Sequence, residues 1–183
     1  MDGESLPWGA TTAPAASTVL RVDPGDDVQA RLTAFVDGLR QRNELAPRID
    51  VMLGPGRYFG DVRITRDFVT VAGELAGGDD AESSTTILGR IVVEDCVGAR
   101  IVNVRVLQDA AAFAFPVGVT VRNPRSRDSA GLRTSCELRN CRMIGCHVKV
   151  QNETRLRMYD TVIDGSGGFG ILCEFGADVL LFG

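Results

Sequence analysis

Glu94, Arg122, Gln151 and Glu174 stand at one place in four copies of a short apolar pattern, each directly after Ile91-x-Val93, Val119-x-Val121, Val148-x-Val150 or Ile171-x-Cys173. Two acids, an arginine and an amide in register are what a face acting on polysaccharide would use, the acids to move protons and the arginine to hold an anionic group. The spacing argues against hydrolysis. Strands stacked about 4.8 Å apart put Glu94 and Glu174 about 14 Å from one another, whereas the two acids of a glycosidase lie about 5 to 9.5 Å apart. The column reads as a solvent-facing ladder of ion pairs worth about 0 to 1 kcal/mol each, with a binding face for acidic or neutral polysaccharide as the alternative.

Other reactive side chains are sparse. His147 is the single histidine and has Lys149 nearby, but no nucleophile and acid accompany it. The five cysteines are odd in number and lack CxxC spacing. Cys136 and Cys173 fall at apolar stacking positions and read as small buried hydrophobes, and a metal site or disulfide among Cys141, Cys146 and His147 is the rival reading. No glycine-rich loop joins a strand to a helix, so nucleotide binding is not expected, and no cofactor or metal is assigned. A net charge of -4 and a pI near 5.0 disfavour a nucleic-acid surface. The opening residues lack a secretory signal and no run reaches the roughly 18 apolar residues of a membrane span, so the expectation is a chain made in the cytoplasm, without membrane contact.

The elements that would position these residues follow from a repeat. Cys136-x-Leu138-x-Asn140-x-x-Met143-x-Gly145 recurs as Leu156-x-Met158-x-Asp160-x-x-Ile163-x-Gly165 and as Ala99-x-Ile101-x-Asn103-x-x-Val106, with a looser copy at Val69-x-Val71-x-Gly73 and Ile87-x-Gly89. Alternating short strands returning every 20 to 37 residues are the mark of an all-β solenoid. Ile101, Leu138 and Met158 should stack as one interior column and Val106, Met143 and Ile163 as another. Asn103, Asn140 and Asp160 then form a structural ladder at the strand-to-strand bend. Val51-x-Leu53 is expected to head the column that continues through Ile91-x-Val93. Val28, Leu32, Phe35, Val36 and Leu39 share one helical face, capped by Asp26 or Asp27, and predict a helix at about residues 27–40 that closes the first coil. Residues 1–17 read as an extended arm ahead of a domain spanning 18–183, and residues 74–84 and 124–134 read as surface loops.

The run VMLGPGRYFGDVRITRDFVTVAGE, followed by TTILG, resembles the opening of right-handed parallel β-helix proteins of the pectin-lyase-like superfamily, in the short form found in phage structural and tailspike proteins. The likeness covers about residues 18–183. It implies a right-handed parallel β-helix of about five coils with one N-terminal capping helix. About activity it is nearly silent, because that superfamily includes lyases, esterases, epimerases, tailspikes and structural proteins. Its carbohydrate-active members carry acids and arginines on an outer face comparable to Glu94, Arg122, Gln151 and Glu174. The closing Asp178-Val179-Leu180-Leu181-Phe182-Gly183 echoes the DFIFG of pectin methylesterases, but the partner motifs QDT and LGRPW are missing.

The expectation is therefore a non-enzymatic structural component, such as a phage or virus capsid decoration (cement) or spike protein, within a virion or a cytoplasmically assembled particle. Leu180, Leu181 and Phe182 end the chain in an apolar strand with no capping helix, and Trp8 lies in an arm with no local core to join. These four residues are the expected interface. The resemblance further implies a homo-oligomer, a trimer, mounted on another assembly protein such as a capsid protein. The alternative is a carbohydrate-active enzyme or polysaccharide-binding module of the same superfamily.

Overall fold

β-branched and aliphatic residues at every second position make each short strand bury one side chain in two, and the bends between strands then bring the chain back over itself. The computed structural model describes residues 17–44, 48–74, 83–108, 116–124, 134–165 and 169–183. Trp8, the arm up to residue 16 and most of both insertions lie outside the described residues. Strand β1 (Thr18–Val22) leads to helix α1 (Val28–Gln41). The first coil is β2 (Ile49–Leu53), β3 (Gly56–Phe59) and β4 (Val62–Ile64), and the second is β5 (Val69–Ala72), β6 (Thr85–Leu88) and β7 (Ile91–Glu94). The third holds β8 (Ala99–Val102), β9 (Arg105–Leu107) and β10 (Val117–Arg122), and the fourth β11 (Ser135–Arg139), β12 (Arg142–Ile144) and β13 (His147–Gln151). In the fifth are β14 (Arg155–Tyr159), β15 (Val162–Asp164) and β16 (Ile171–Glu174), and β17 (Asp178–Phe182) begins a further turn.

Corresponding strands pair in parallel into three sheets. The first runs β1-β2-β5-β8-β11-β14-β17, the second β3-β6-β9-β12-β15 and the third β4-β7-β10-β13-β16. This is an all-β solenoid, a parallel β-helix of five coils with one helix. Leu138 pairs with Ile101 and with Met158, and Met143 with Val106 and with Ile163, as the repeat predicts. Asn103, Asn140 and Asp160 adopt left-handed φ of 55°, 49° and 45° at one bend, a conformation that a short polar side chain tolerates better than other residues do. Asn140 Nδ2 donates to Asn103 Oδ1 at 2.8 Å, so this rung of the ladder is hydrogen-bonded.

One register expectation is corrected. Val51 pairs with Val71 in the first sheet, and Val62 and Ile64 pair with Ile91 and Val93 to head the third. The bend at residues 54–56 is followed by two more strands before the coil closes, so Val51 and Leu53 belong one sheet earlier.

Asp27 caps α1, its carboxylate accepting from Ala30 N at 2.9 Å. The helix packs against β1 and β4 and buries Val28, Leu32 and Leu39, which closes the N-terminal end of the stack. Phe35 and Val36 are only partly buried against the core. Phe35 thus lies on the covering face, as the spacing predicts, but at its margin, while Leu39 is fully covered. Leu39→Ala should therefore cost about 2 to 5 kcal/mol and Phe35→Ala clearly less. Urea unfolding of the two variants checks the order, and a larger loss for Phe35→Ala would contradict this seating of the helix.

Candidate functional site

The third sheet turns Ile91, Val93, Val119, Val121, Val148 and Val150 inward, each fully buried, so the alternate residues face out. Pairing runs from Glu94 to Arg122, from Arg122 to Gln151 and from Gln151 to Glu174, which places all four in one column. The two carboxylates are thus three strand steps apart, about 14 Å.

Each acid is already engaged. Glu94 Oε2 accepts from Arg122 Nε at 2.9 Å, while Oε1 lies 3.2 Å from Arg63 Nε on the neighbouring strand β4. The Glu94 side chain is 9% exposed, so the expectation of a solvent-facing acid is corrected: two guanidinium stems cover it. Glu174 Oε2 accepts from Gln151 Nε2 at 2.5 Å and lies 3.4 Å from Lys149 Nζ, and all three residues are partly exposed. The face therefore divides into a nearly buried Glu94 carboxylate under two more exposed arginines and a Lys-Gln-Glu group whose members are all partly exposed.

Unequal burial predicts unequal energetics. Glu94→Ala removes a nearly buried acceptor of charge-assisted hydrogen bonds and should cost about 1.5 to 3 kcal/mol, whereas Glu174→Ala should cost about 0 to 1 kcal/mol. Chemical denaturation of the two variants separates these values, and equal losses would show that burial of the Glu94 carboxylate is not what matters.

His147 shares the outer side of β13 with Lys149 but is itself buried. Burial, and secondarily the Lys149 charge, hold its imidazole below the usual histidine range, so it is neutral at pH 7. Val117 pairs with His147 across the sheet, and Gly118 is the extra residue of a bulge in β10. A Cβ at Gly118 would meet Cys146 Sγ and lie 3.2 Å from Val106 Cγ1, so only glycine fits this close approach.

All five cysteines are free thiols. Cys96, Cys136, Cys141 and Cys146 are buried, and burial pushes Cys96 up to about 12 and Cys141 and Cys146 up to about 11. Cys141 donates to Ile101 O at 3.3 Å and Cys146 to Val106 O at 3.7 Å. Such thiols are unreactive packing groups. Among the described residues no three His, Cys, Asp or Glu gather closely enough to hold a metal ion. No described helix is long and apolar enough to cross a membrane.

Cys173 departs from its sequence expectation, because it is exposed. It pairs with Val150 and so takes an inward position, but no described coil covers its other side. The same holds for the interior column of the first sheet. Ile101 and Leu138 are 0% exposed and Met158 4%, but Leu181, next in the stack, is 64% exposed. Ile163, Ile171 and Val179 are also only partly buried. Phe169 and Phe175 add large exposed rings beside the last coil. Sequence reading named Leu180, Leu181 and Phe182 here and missed Phe169, Phe175 and Cys173. The signal for those three was available, since each belongs to or flanks the last strand of its sheet. Leu180 and Phe182 face outward instead, and Phe182 stacks on Tyr159 with ring centroids 4.6 Å apart while the Arg139 guanidinium lies 4.5 Å over the other ring.

Among the described residues, β15, β16 and β17 are each the last strand of their sheet. A concavity between α1 and β4 is lined by Gln29, Thr33, Asp37, Arg40, Arg63 and Asp67 among others, a mixture of charges with no single preference. Comparison of the chain with protein-family models, with curated proteins and with solved structures finds no match.

Proposed function

We propose that this chain is a non-enzymatic structural component of a larger assembly. The engagement of both acids of the third-sheet column, Glu94 by Arg122 and Arg63 and Glu174 by Gln151 and Lys149, carries the reading, because carboxylates already held in ion pairs and hydrogen bonds suit a rigid scaffold better than a catalyst. A phage or virus decoration, cement or spike protein is the kind of assembly that the resemblance to pectin-lyase-like β-helices suggests, with another assembly protein as the mount.

The rival reading, a carbohydrate-active enzyme or polysaccharide-binding module on the third sheet, has the column of Glu94, Arg122, Gln151 and Glu174 in its favour. Against it stand the neutralising contacts of both acids and their separation. A panel of pectin, alginate and bacterial surface polysaccharides should go uncleaved by the full chain. Turnover that Glu94→Ala or Glu174→Ala abolishes would replace the structural reading with the enzymatic one.

A further inference from the structure

We propose that the outer face of the second sheet is a docking surface for an amphipathic helix of another protein, with the apolar side of that helix on one column and an acidic flank toward Arg57. The inference rests on the assembly reading above and names the surface and the partner's chemistry. Tyr58, Ile87, Val106 and Met143 point inward and are buried, so their neighbours on either side point out. Pairing sorts those neighbours into two columns. Phe59, Leu88, Leu107 and Ile144 follow one another in the first, and Arg57, Thr86, Arg105 and Arg142 in the second. Asp164, next to Ile144 in the stack, is the single acid in either column.

The first column is an apolar stripe across four coils. Phe59 is 67% exposed, and Leu88, Leu107 and Ile144 are each partly exposed. Three strand steps make the stripe about 14 Å long. It offers side chains and little backbone, because β6, β9 and β12 each have a parallel neighbour on both sides. An extended segment laid on such a face would bury its own backbone groups unpaired. A helix satisfies its backbone internally, and its residues i, i+4, i+7 and i+11 span about 16 Å at about 1.5 Å per residue, close to the length of the stripe.

The second column sets the charge of the partner. Arg105 and Arg142 already take part in interactions within the chain, and Arg57, exposed at the head of the column, is the guanidinium offered outward. Beside it Thr86 is 4% exposed, and its Oγ1 has no hydrogen-bond partner among the described residues. A buried donor left without a partner is costly, and a carboxylate held by Arg57 supplies one. Helix α1 of a second copy does not suit the face, since it turns Val28, Leu32 and Leu39 onto its own coil and exposes Arg31 and Arg40.

The probe is a synthetic helical peptide with leucine at i, i+4, i+7 and i+11 and glutamate along one flank, together with its counterpart carrying lysine for glutamate. Fluorescence anisotropy should show the glutamate peptide binding the full chain, and the lysine peptide binding at least about tenfold more weakly. Phe59→Asp should abolish binding of the glutamate peptide, and Arg57→Glu should reverse the preference between the two, with far-ultraviolet circular dichroism unchanged in both variants. No binding, equal binding of the two peptides, or binding that neither substitution alters overturns the docking surface and leaves the assembly reading standing. Capture by phosphatidylglycerol vesicles in place of the peptide, or self-association of the chain that Phe59→Asp abolishes, assigns the face to a membrane or to a second copy and overturns it too. Turnover of polysaccharide by the full chain overturns the assembly reading itself.

Discussion

Tyr58→Ala should destabilise the protein by about 3 to 5 kcal/mol, among the largest losses available to a single substitution here. Tyr58 lies in β3 at the N-terminal end of the stack, 1% exposed and the largest fully buried side chain. Its hydroxyl lies 3.0 Å from Val22 O and 3.1 Å from Gly54 O, two acceptors that it ties from β1 and from the bend after β2. Removing the ring opens a cavity where the first coil, β1 and the bend meet. Tyr58→Phe keeps the ring and loses the donor, which should cost about 1 kcal/mol, Gly54 O still accepting from Thr85 Oγ1 at 2.9 Å. A pH signature accompanies the loss. Burial, with the charge of Asp23 second, pushes the phenol up to about 12, above the roughly 10 of an unfolded tyrosine. The folded state thus holds the proton more tightly than the unfolded state does. That contribution is complete below about pH 10 and disappears as pH rises toward 12. Urea unfolding of wild type and Tyr58→Phe across this range should show a steeper alkaline decline for wild type, and parallel curves would contradict the buried hydroxyl.

Gly89→Ala is the second large effect, and its cause is backbone. Gly89 sits at the bend between β6 and β7, directly against the bend between β3 and β4. A Cβ there would collide with Gly60 O and lie 2.6 Å from Gly60 C. Neither atom can retreat freely, because Gly60 N donates to Leu88 O at 3.1 Å and Val62 N to Arg90 O at 2.8 Å, clamping the two bends together. The expected loss is about 3 kcal/mol, at the upper end of overpacking, or about 6 to 12 °C in melting temperature for a chain of this length. Gly170→Ala is the matched control, since among the described residues a Cβ there meets only Ile163 Cδ1 at 4.0 Å and should change little. If the two variants melt together, the coils are not in the close backbone contact described.

Much of this architecture is legible in the chain because a solenoid repeats its rules. Alternation at Leu138 and Met158 states which side chains point inward, and the asparagine or aspartate after them marks the left-handed bend, so register follows from aligning copies. The same logic brought Glu94, Arg122, Gln151 and Glu174 into one column. It failed for Val51-x-Leu53, where the first coil lacks the polar bend residue and apolar alternation alone does not say which of three sheets a strand joins.

Burial was the quantity that local pattern left open. Glu94 reads as an outward acid and does point outward, but Arg63, one coil earlier, and Arg122, one coil later, close over it. Cys173 and Leu181 read as core and do point inward, but are exposed because no described residues stack over them. Period-two alternation determines the direction of a side chain, since that depends on its own φ and ψ. Whether water reaches it depends on the coils above and below, supplied by residues far away in the chain, and those neighbours exist only once the coils are stacked.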